Sequence, residues 1–212
     1  MIIIEHRINT LNQLRHVNPE NGVEIDLRSN VVTGKIYIQH DPMKQGTNFE
    51  DWLAVYIEQK IKGPIIFNTK EDGLEGLIIE TCQQAGIHNF FFLDTTIPTL
   101  VKWSLLQKER RFAYRISAYE RVETSNAFSG KVEWIWADCF NGIPLNLSDI
   151  MRLKKDFKIC LVSPELHGCD EIHPDFQPLL NVVDAICTKK PQFWLDNCRD
   201  NYGYSSTKRE CK

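Results

Sequence analysis

The sequence predicts an α/β fold in which eight β-α units form a (β/α)₈ TIM barrel, with a β-hairpin extension after the second strand. Short runs rich in β-branched and aromatic residues recur along the 212 residues, and segments of helical length separate most of them. One connection between two such runs is too short to contain a helix. A chain of this length lies near the short end of the size range of such barrels and can bury a sizeable core.

Nine segments have the composition and length of β-strands. They are 2–5, 22–27, 35–40, 64–68, 89–93, 112–116, 132–137, 158–162 and 184–188. The connection between the second and third segments contains Ser29, Asn30 and Gly34, which are common turn residues. We therefore interpret these two segments as a hairpin, and eight parallel units remain.

The segments between the strands have helical length and apolar spacing. They are 8–17, 48–61, 73–86, 97–109, 118–127, 147–156, 173–181 and 191–198. Gly86 is a suitable C-cap and Asn146 or Ser148 a suitable N-cap. Alternation of strands and helices predicts a parallel sheet with crossover helices. An open doubly wound sheet is the alternative, but the first turn, "EHRINT", lacks the glycines that such a sheet usually has there.

Composition and charge exclude several classes of protein. The net charge of −3 provides no basic field for a nucleic acid or an anionic membrane. No apolar segment approaches the roughly 20 residues of a membrane span, and the start of the chain lacks the features of a signal peptide. We therefore expect a cytoplasmic location and no nucleic-acid partner. Nothing in the sequence predicts an oligomeric state.

The seven cysteines are scattered along the chain without a CxxC pair. This pattern favours reduced thiols over a disulfide framework or a zinc cluster. The polar segment 199–212 lacks periodicity, so we expect it to be a tail that follows a single domain over 1–198.

Polar side chains near the ends of the first predicted strands outline a site. The active site of a (β/α)₈ barrel forms at the carboxyl ends of its strands. Glu24 and Asp26 are two residues apart on one strand, so their side chains point the same way, and burying both without a cation would be costly. Together with Asn68 they form an oxygen-rich set that suits Mg²⁺ or Ca²⁺. An ion-pair network with neighbouring Arg and Lys side chains is the alternative explanation.

Two histidines and two cationic residues lie close to this set in the predicted order of strands. His6 follows the first strand and His40 ends the hairpin, and two histidines beside a metal can act as general acid and base. Arg7 and Lys70 can hold an anionic phosphoryl group.

Four motifs together resemble the glycerophosphodiester phosphodiesterase family, whose wider superfamily includes phosphatidylinositol-specific phospholipase C. They are "EHR" at 5–7, "VEIDLR" at 23–28, "IYIQHDP" at 36–42 and "FNTK" at 67–70. That family is a (β/α)₈ barrel with His-Arg, Glu-x-Asp, a hairpin ending in His-Asp, and a further acidic-x-Lys. The segment "ICTKKP" at 186–191 also resembles its last strand.

The resemblance implies a role for each residue of the motifs. The metal ligands would be Glu24, Asp26 and Asn68. The acid–base pair would be His6 and His40, and Asp41 would orient the loop or His40. The phosphate would contact Arg7 and Lys70. Residues near the ends of the later strands would contact the rest of the substrate. Our candidates are Arg115, Trp136, Glu165 and His167. Trp136 lies in an aromatic-rich strand, where packing is the usual role of such a residue.

This sequence departs from the family pattern at several positions. Ile8 stands where the family usually has glycine, "INTLNQL" replaces its Glu-Asn-Thr, and Asn68 stands where its third metal ligand is acidic. The substrate-binding insertion of many members is also missing. These departures concern the substrate more than the class of reaction.

We therefore expect a divalent-metal-dependent phosphodiesterase that hydrolyses a glycerophosphodiester or a related small phosphodiester. Its partner would be that small molecule. A barrel lyase or epimerase that uses a metal and a histidine is one alternative. A degenerate, non-catalytic barrel that binds a phospho-ligand is another.

Overall fold

The computed structural model describes residues 1–140, 142–143, 145–169 and 176–196, and all nine predicted strands lie within them. The strands are β1 Ile2–Glu5, β2 Gly22–Ser29, β3 Ile36–Ile38, β4 Thr47–Asn48, β5 Ile65–Thr69, β6 Phe90–Leu93, β7 Ala113–Ile116, β8 Trp134–Ala137, β9 Lys158–Val162 and β10 Ala185–Thr188. Strand β4 was not predicted, because two residues are too few to show a pattern. The predicted tail 199–212 lies outside the described residues.

Eight of these strands are parallel and follow one another around a barrel. The order is β7-β8-β9-β10-β1-β2-β5-β6. The last junction is a parallel bridge between Phe92 of β6 and Phe112, with the Phe92 N–H donating to the Arg111 carbonyl at 2.9 Å. Strand β3 pairs antiparallel with β2, and β4 pairs antiparallel with β3. The predicted barrel and the hairpin after its second strand are therefore confirmed.

Most of the predicted helices are present and shorter than predicted. The α-helices are α1 Leu11–Leu14, α2 Phe49–Glu58, α3 Glu75–Gln84, α4 Ile97–Val101, α5 Leu147–Leu153 and α6 Phe176–Leu180. Residues 191–196 are also helical, and the start of the predicted helix 173–181 lies outside the described residues. The predicted N-cap Asn146 begins α5 in a capping box, and Gly86 follows α3 with a φ of +70°, as a C-cap does.

Three helix predictions need correction. The segment 8–17 contains only α1, because Thr10 is extended, caps the helix that begins at Leu11 and pairs reciprocally with Gln13. The segment 97–109 is α4 followed by the π-helical turn Lys102–Leu106, which ends before the left-handed Lys108. The segment 118–127 is the 3₁₀-helix Val122–Phe128, because Arg121 is extended and starts the helix late.

Side chains along β2 alternate between the outer and the inner face of the barrel, and so they border two separate parts of the core. Val23, Ile25 and Leu27 are completely buried among the residues that pack between the barrel and its helices, whereas Glu24 and Asp26 point into the barrel. Below them the interior is filled by apolar side chains. These include Ile4, Ile66, Phe91 and Trp134, and the last two stack with ring centroids 4.5 Å apart. The floor beneath the carboxylates is therefore apolar and closely packed.

Two glycines set the register that places the carboxylates. A Cβ on Gly22 would lie 2.6 Å from the carbonyl oxygen of Pro64, and one on Gly63 would lie 2.2 Å from the Gly22 nitrogen. Only glycine permits this approach of β2 to β5. The resulting register sets Asp26 beside Asn68.

The cysteines for which the structure gives a position carry free thiols, as predicted. They are Cys82, Cys139, Cys160, Cys169 and Cys187, while 198 and 211 lie outside the described residues. Within the described ranges no helix has the length and apolar character to cross a membrane.

Candidate active site

The carboxyl ends of β1, β2 and β5 bring the predicted metal ligands together. Glu24 and Asp26 are completely buried on the inner face of β2, and Asn68, which is 7% exposed, is paired with Asp26 in the sheet register. Two carboxylates and an amide oxygen therefore share the mouth of the barrel, where the sequence predicted them.

The Glu24 carboxylate is held by the turn that follows β1. The backbone N–H of Arg7 donates to Glu24 Oε2 at 2.8 Å, and Arg7 adopts a left-handed conformation with a φ of +56°, which costs an L-residue free energy. His6 Nε2 lies 3.8 Å from the same oxygen. Burial, followed by the charge of Asp26, raises the pKa of Glu24 to about 7, against smaller opposing effects of Lys70, the Arg7 N–H and Asn68.

Asp26 is held by two cations and one amide. Lys70 Nζ lies 2.8 Å from Asp26 Oδ1, and Arg7 Nε lies 3.8 Å from Oδ2. The Asn9 side chain donates to Asp26 Oδ2 at 2.7 Å and accepts the Asp26 N–H at 3.1 Å. Thr47 in turn holds the Asn9 carbonyl at 2.8 Å. Asn9 is a site residue that the sequence analysis missed, since no motif marked it.

His40 has both ring nitrogens engaged. Its Nδ1 lies 2.9 Å from Asp41 Oδ1 and its Nε2 lies 2.6 Å from Arg7 Nη2. Because a guanidinium can only donate, Nε2 accepts and Nδ1 carries the proton that it donates to Asp41. Lys44 and then His40 lower the pKa of Asp41 to about 2, so Asp41 is a carboxylate at neutral pH.

Arg28 lies two residues after Asp26 on β2, and its guanidinium binds the hairpin. It donates to the carbonyls of His40 at 2.8 Å and Gln39 at 3.2 Å. Arg28 therefore positions the backbone that carries His40.

The ring of His6 lies inside the mouth and is largely buried. Its backbone N–H donates to the Thr188 carbonyl at 2.9 Å, and its Nδ1 is buried without a hydrogen-bond partner. Burial, followed by the charges of Arg7 and Lys189, lowers the pKa of His6 to about 3. In this state His6 is a neutral imidazole.

Three oxygens in the mouth fit a divalent cation. Glu24 Oε1, Asp26 Oδ1 and Asn68 Oδ1 are buried and form no hydrogen bond, although Asp26 Oδ1 contacts the Lys70 ammonium. Buried polar atoms without partners are rare and costly, and carboxylate and amide oxygens are suitable ligands for Mg²⁺ and Ca²⁺. Among the described residues no three His, Cys, Asp or Glu side chains form a metal-binding group, so the Asn68 amide is needed as the third donor.

A second polar cluster lies across the mouth, after β6, β7, β8 and β9. The Arg115 guanidinium pairs with the Asp94 carboxylate and lies 3.9 Å from Asp138. His167 Nε2 lies 2.5 Å from Asp138 Oδ1. Arg115 and His167 were predicted candidates. Asp94 and Asp138, which directly follow predicted strands, were not among the candidates although that position could have marked them.

The other two candidates of the later strands have their polar groups engaged within the protein. Trp136 is 4% exposed in the barrel interior and donates from Nε1 to Asp138 Oδ2 at 3.2 Å. Glu165 accepts from the hydroxyls of Ser163 and Thr188 and, at 3.1 Å, from the Lys189 N–H. Glu165 thus links the ends of β9 and β10.

Comparison with known proteins identifies the fold. No protein-family model and no curated protein sequence matches the chain, whereas several solved structures do. A glycerophosphodiester phosphodiesterase from Agrobacterium tumefaciens has a TM-score of 0.66 at 13% identity, covering 94% of this chain and 99% of that one. An Oleispira antarctica phosphodiesterase, in complex with the product sn-glycerol-3-phosphate, has a TM-score of 0.67 at 15% identity, covering 94% and 97%.

A glycerophosphoryl diester phosphodiesterase from Parabacteroides distasonis has a TM-score of 0.61 at 10% identity, covering 97% of this chain and 88% of that one. At such low identities the likeness is one of fold. The chain therefore has, over nearly all its length, the barrel fold of these glycerophosphodiester phosphodiesterases.

Proposed function

We propose that this chain is a metal-dependent phosphodiesterase that hydrolyses a glycerophosphodiester or a related small phosphodiester. One observation carries the proposal: three buried oxygens, of which two have no partner and the third contacts the Lys70 ammonium, lie between two histidines and two cationic side chains at the barrel mouth. The fold supports it, because the Oleispira antarctica phosphodiesterase of the same fold is in complex with sn-glycerol-3-phosphate.

Glu24, Asp26 and Asn68 would hold Mg²⁺ or Ca²⁺ through those oxygens. The bound cation would supply a positive charge that neutralises a phosphoryl oxygen as the transition state forms. The two carboxylates balance the charge of one divalent ion, and the neutral Asn68 adds a ligand without adding charge. A site of this composition binds its metal less tightly than one with three carboxylates.

Arg7 and Lys70 bind and orient the phosphate. Arg7 is 40% exposed and Lys70 is 17% exposed, so both can reach a ligand in the mouth. Arg7 leaves His40 Nε2 and Lys70 leaves Asp26 when phosphoryl oxygens become available as partners. Release of His40 Nε2 by Arg7 is also the step that makes this nitrogen available for proton transfer.

The two histidines divide the proton transfers. One takes the proton from the attacking oxygen, which belongs to a water or to a neighbouring substrate hydroxyl. The P–O bond to the alcohol breaks as the new P–O bond forms, and the other histidine, which must first take up a second proton from solvent, gives that proton to the departing oxygen. General acid–base catalysis of this kind contributes roughly 10²–10⁴-fold. Asp41 fixes the His40 tautomer, because it accepts the Nδ1 proton.

The test is a panel of glycerophosphodiesters with Mg²⁺, Ca²⁺ or EDTA. We expect turnover with a divalent metal, none in EDTA, and loss of turnover in Glu24→Gln and His40→Ala but not in the surface control Lys62→Met. No turnover together with tight binding of a phosphorylated ligand would indicate a non-catalytic binding module. No turnover and no binding of any diester would favour a lyase or epimerase on a different substrate.

A further inference from the structure

The cluster across the mouth from the metal ligands is a candidate binding site in its own right. Its members are Asp94, Arg115, Asp138, Phe140 and His167. The order β2-β5-β6-β7-β8 places Asp138, which follows β8, on the wall opposite Asp26. Strand spacing and tilt give a barrel roughly 15 Å across between opposite strands. A group held there is separate from the phosphate.

The cluster is held in place by a buried carboxylate. Asp138 is 5% exposed, and it lies at hydrogen-bond distance from both His167 Nε2 and Trp136 Nε1. The side chains around it remain partly open, since Arg115 is 29% and His167 22% exposed. Their positions are set before a ligand arrives, which lowers the entropic cost of binding.

The carboxylates of the cluster are already paired within it. Asp94 and Asp138 face the Arg115 guanidinium, and His167 shares Asp138 with it. A cluster whose carboxylates and guanidinium already pair with one another has little attraction for a charged group. It still offers N–H donors and carboxylate acceptors, so its chemistry suits a neutral ligand rich in hydroxyl groups.

An exposed aromatic ring adjoins these polar groups. Phe140 is 37% exposed, its ring centroid lies 4.6 Å from that of His167, and the Arg115 guanidinium carbon lies 5.8 Å from it. A flat apolar face bordered by donors and acceptors matches a pyranose, which presents C–H groups on a face and hydroxyls at its rim.

We propose that the alcohol esterified to glycerol phosphate in the substrate is a sugar, bound between Arg115, His167 and the ring of Phe140. Asp138 is a positioning residue that acts through His167. This inference rests on the proposed function, which puts the phosphate at Arg7 and Lys70. A three-carbon alcohol attached to that phosphate stays near β2 and β5, whereas a pyranose extends toward the opposite wall.

The test compares two diesters that differ only in the alcohol, namely sn-glycerol 3-phosphate esterified to glucose or to ethanolamine. We expect kcat/KM of the natural sequence to be at least tenfold higher for the glucose diester. Phe140→Ala should reduce kcat/KM for the glucose diester about tenfold more than for the ethanolamine diester, which corresponds to about 1.4 kcal/mol. The control is Ile57→Ala, a half-exposed apolar residue of α2, which should change neither value.

The positioning role has its own readout. Asp138→Asn should raise KM for the glucose diester and leave kcat nearly unchanged, because it loosens His167 without touching the phosphate. A general loss of folding would instead lower the active fraction, and hence the apparent kcat, for both diesters equally. If Phe140→Ala does not fold, His167→Gln carries the same comparison of the two diesters.

Calorimetric binding of both diesters in EDTA separates this inference from the proposed function. Preferential binding of the glucose diester in EDTA, together with no turnover of either diester in Mg²⁺ or Ca²⁺, would support the sugar site and overturn the hydrolase. Turnover of both diesters with equal kcat/KM and equal affinity would overturn the sugar site and leave the hydrolase standing. Failure to bind or hydrolyse either diester would overturn both.

Discussion

Replacement of Lys70 by methionine tests whether the buried charge of Asp26 is held as the structure indicates. Asp26 is completely buried, and Lys70 Nζ at 2.8 Å is its nearest cation. Removing one partner of a buried ion pair costs roughly 3–5 kcal/mol, because the other charge stays buried and uncompensated. Asp26 keeps the Asn9 amide at 2.7 Å and Arg7 at 3.8 Å. We therefore expect Lys70→Met to lose about 3 kcal/mol of its free energy of unfolding, the lower end of that range.

Urea denaturation followed by circular dichroism, in EDTA and in Mg²⁺, measures this cost. For a protein of this size a loss of 3 kcal/mol corresponds to a fall in Tm of about 6–12 °C. Mg²⁺ should narrow the gap between Lys70→Met and the natural sequence, since a cation bound between Glu24 and Asp26 replaces the lost charge. Lys62→Met is the matched control: its pair with Glu20 is two-thirds exposed on both sides, and such pairs contribute below about 1 kcal/mol.

Two results would refute this reasoning. If Lys70→Met in EDTA is as stable as Lys62→Met, Lys70 does not compensate a buried carboxylate. If Mg²⁺ raises the free energy of unfolding of both variants and of the natural sequence by the same small amount, no divalent cation binds next to Asp26.

Four further predictions follow from the same geometry. Asn9→Ala should lower metal-dependent kcat/KM roughly 10–100-fold, as loss of a group that orients a metal ligand does; an effect below threefold would count against that role. Phe91→Ala should reduce the free energy of unfolding by about 3–5 kcal/mol in urea titrations, and a smaller loss would mean that the barrel floor collapses around the gap. Burial raises the pKa of Tyr56 from its usual 10 to about 12, so the folded state holds this proton more tightly and the free energy of unfolding falls as pH rises from 10 to 12. Tyr56→Phe should remove the contribution of this tyrosine to that fall, and an unchanged dependence of the free energy of unfolding on pH would contradict the prediction. Burial also raises the pKa of Cys82 to about 12, so iodoacetamide at pH 8 should alkylate the exposed Cys169 before the buried Cys82. Peptide mapping that finds these two cysteines labelled equally would disprove the prediction.

The first site motifs could be predicted because each depends on a short-range pattern. Alternation over Gly22–Ser29 places Glu24 and Asp26 on one face of a strand, and the short connection that follows allows only a hairpin. The parallel barrel then sets the end of the next parallel strand beside them. Asn68 therefore lies beside Asp26 in the sheet, although it is not the acidic residue of the family pattern.

The supporting residues could not be predicted, because their partners are remote in the sequence, and no sequence period sets side-chain directions in loops or the partner that a long side chain reaches. Asn9 lies in the irregular segment between the turn after β1 and the start of α1 at Leu11, and it meets Asp26 only in the folded barrel. Arg28 leaves the carboxylate face because the hairpin offers it the carbonyl of His40. The ends of several helices were predicted wrongly for a similar reason, because a cap such as Thr10 depends on a few side-chain atoms and not on a repeated sequence pattern.

The position of a bound metal tests the central claim most directly. A crystal of the protein grown with Mn²⁺ should show one anomalous peak at the barrel mouth, roughly 2.0–2.6 Å from Glu24 Oε1, Asp26 Oδ1 and Asn68 Oδ1, the range of hard-cation ligands. Soaking with EDTA should remove the peak. Mn²⁺ bound elsewhere, or a mouth in which Lys70 still contacts Asp26 at saturating Mn²⁺, would contradict the account.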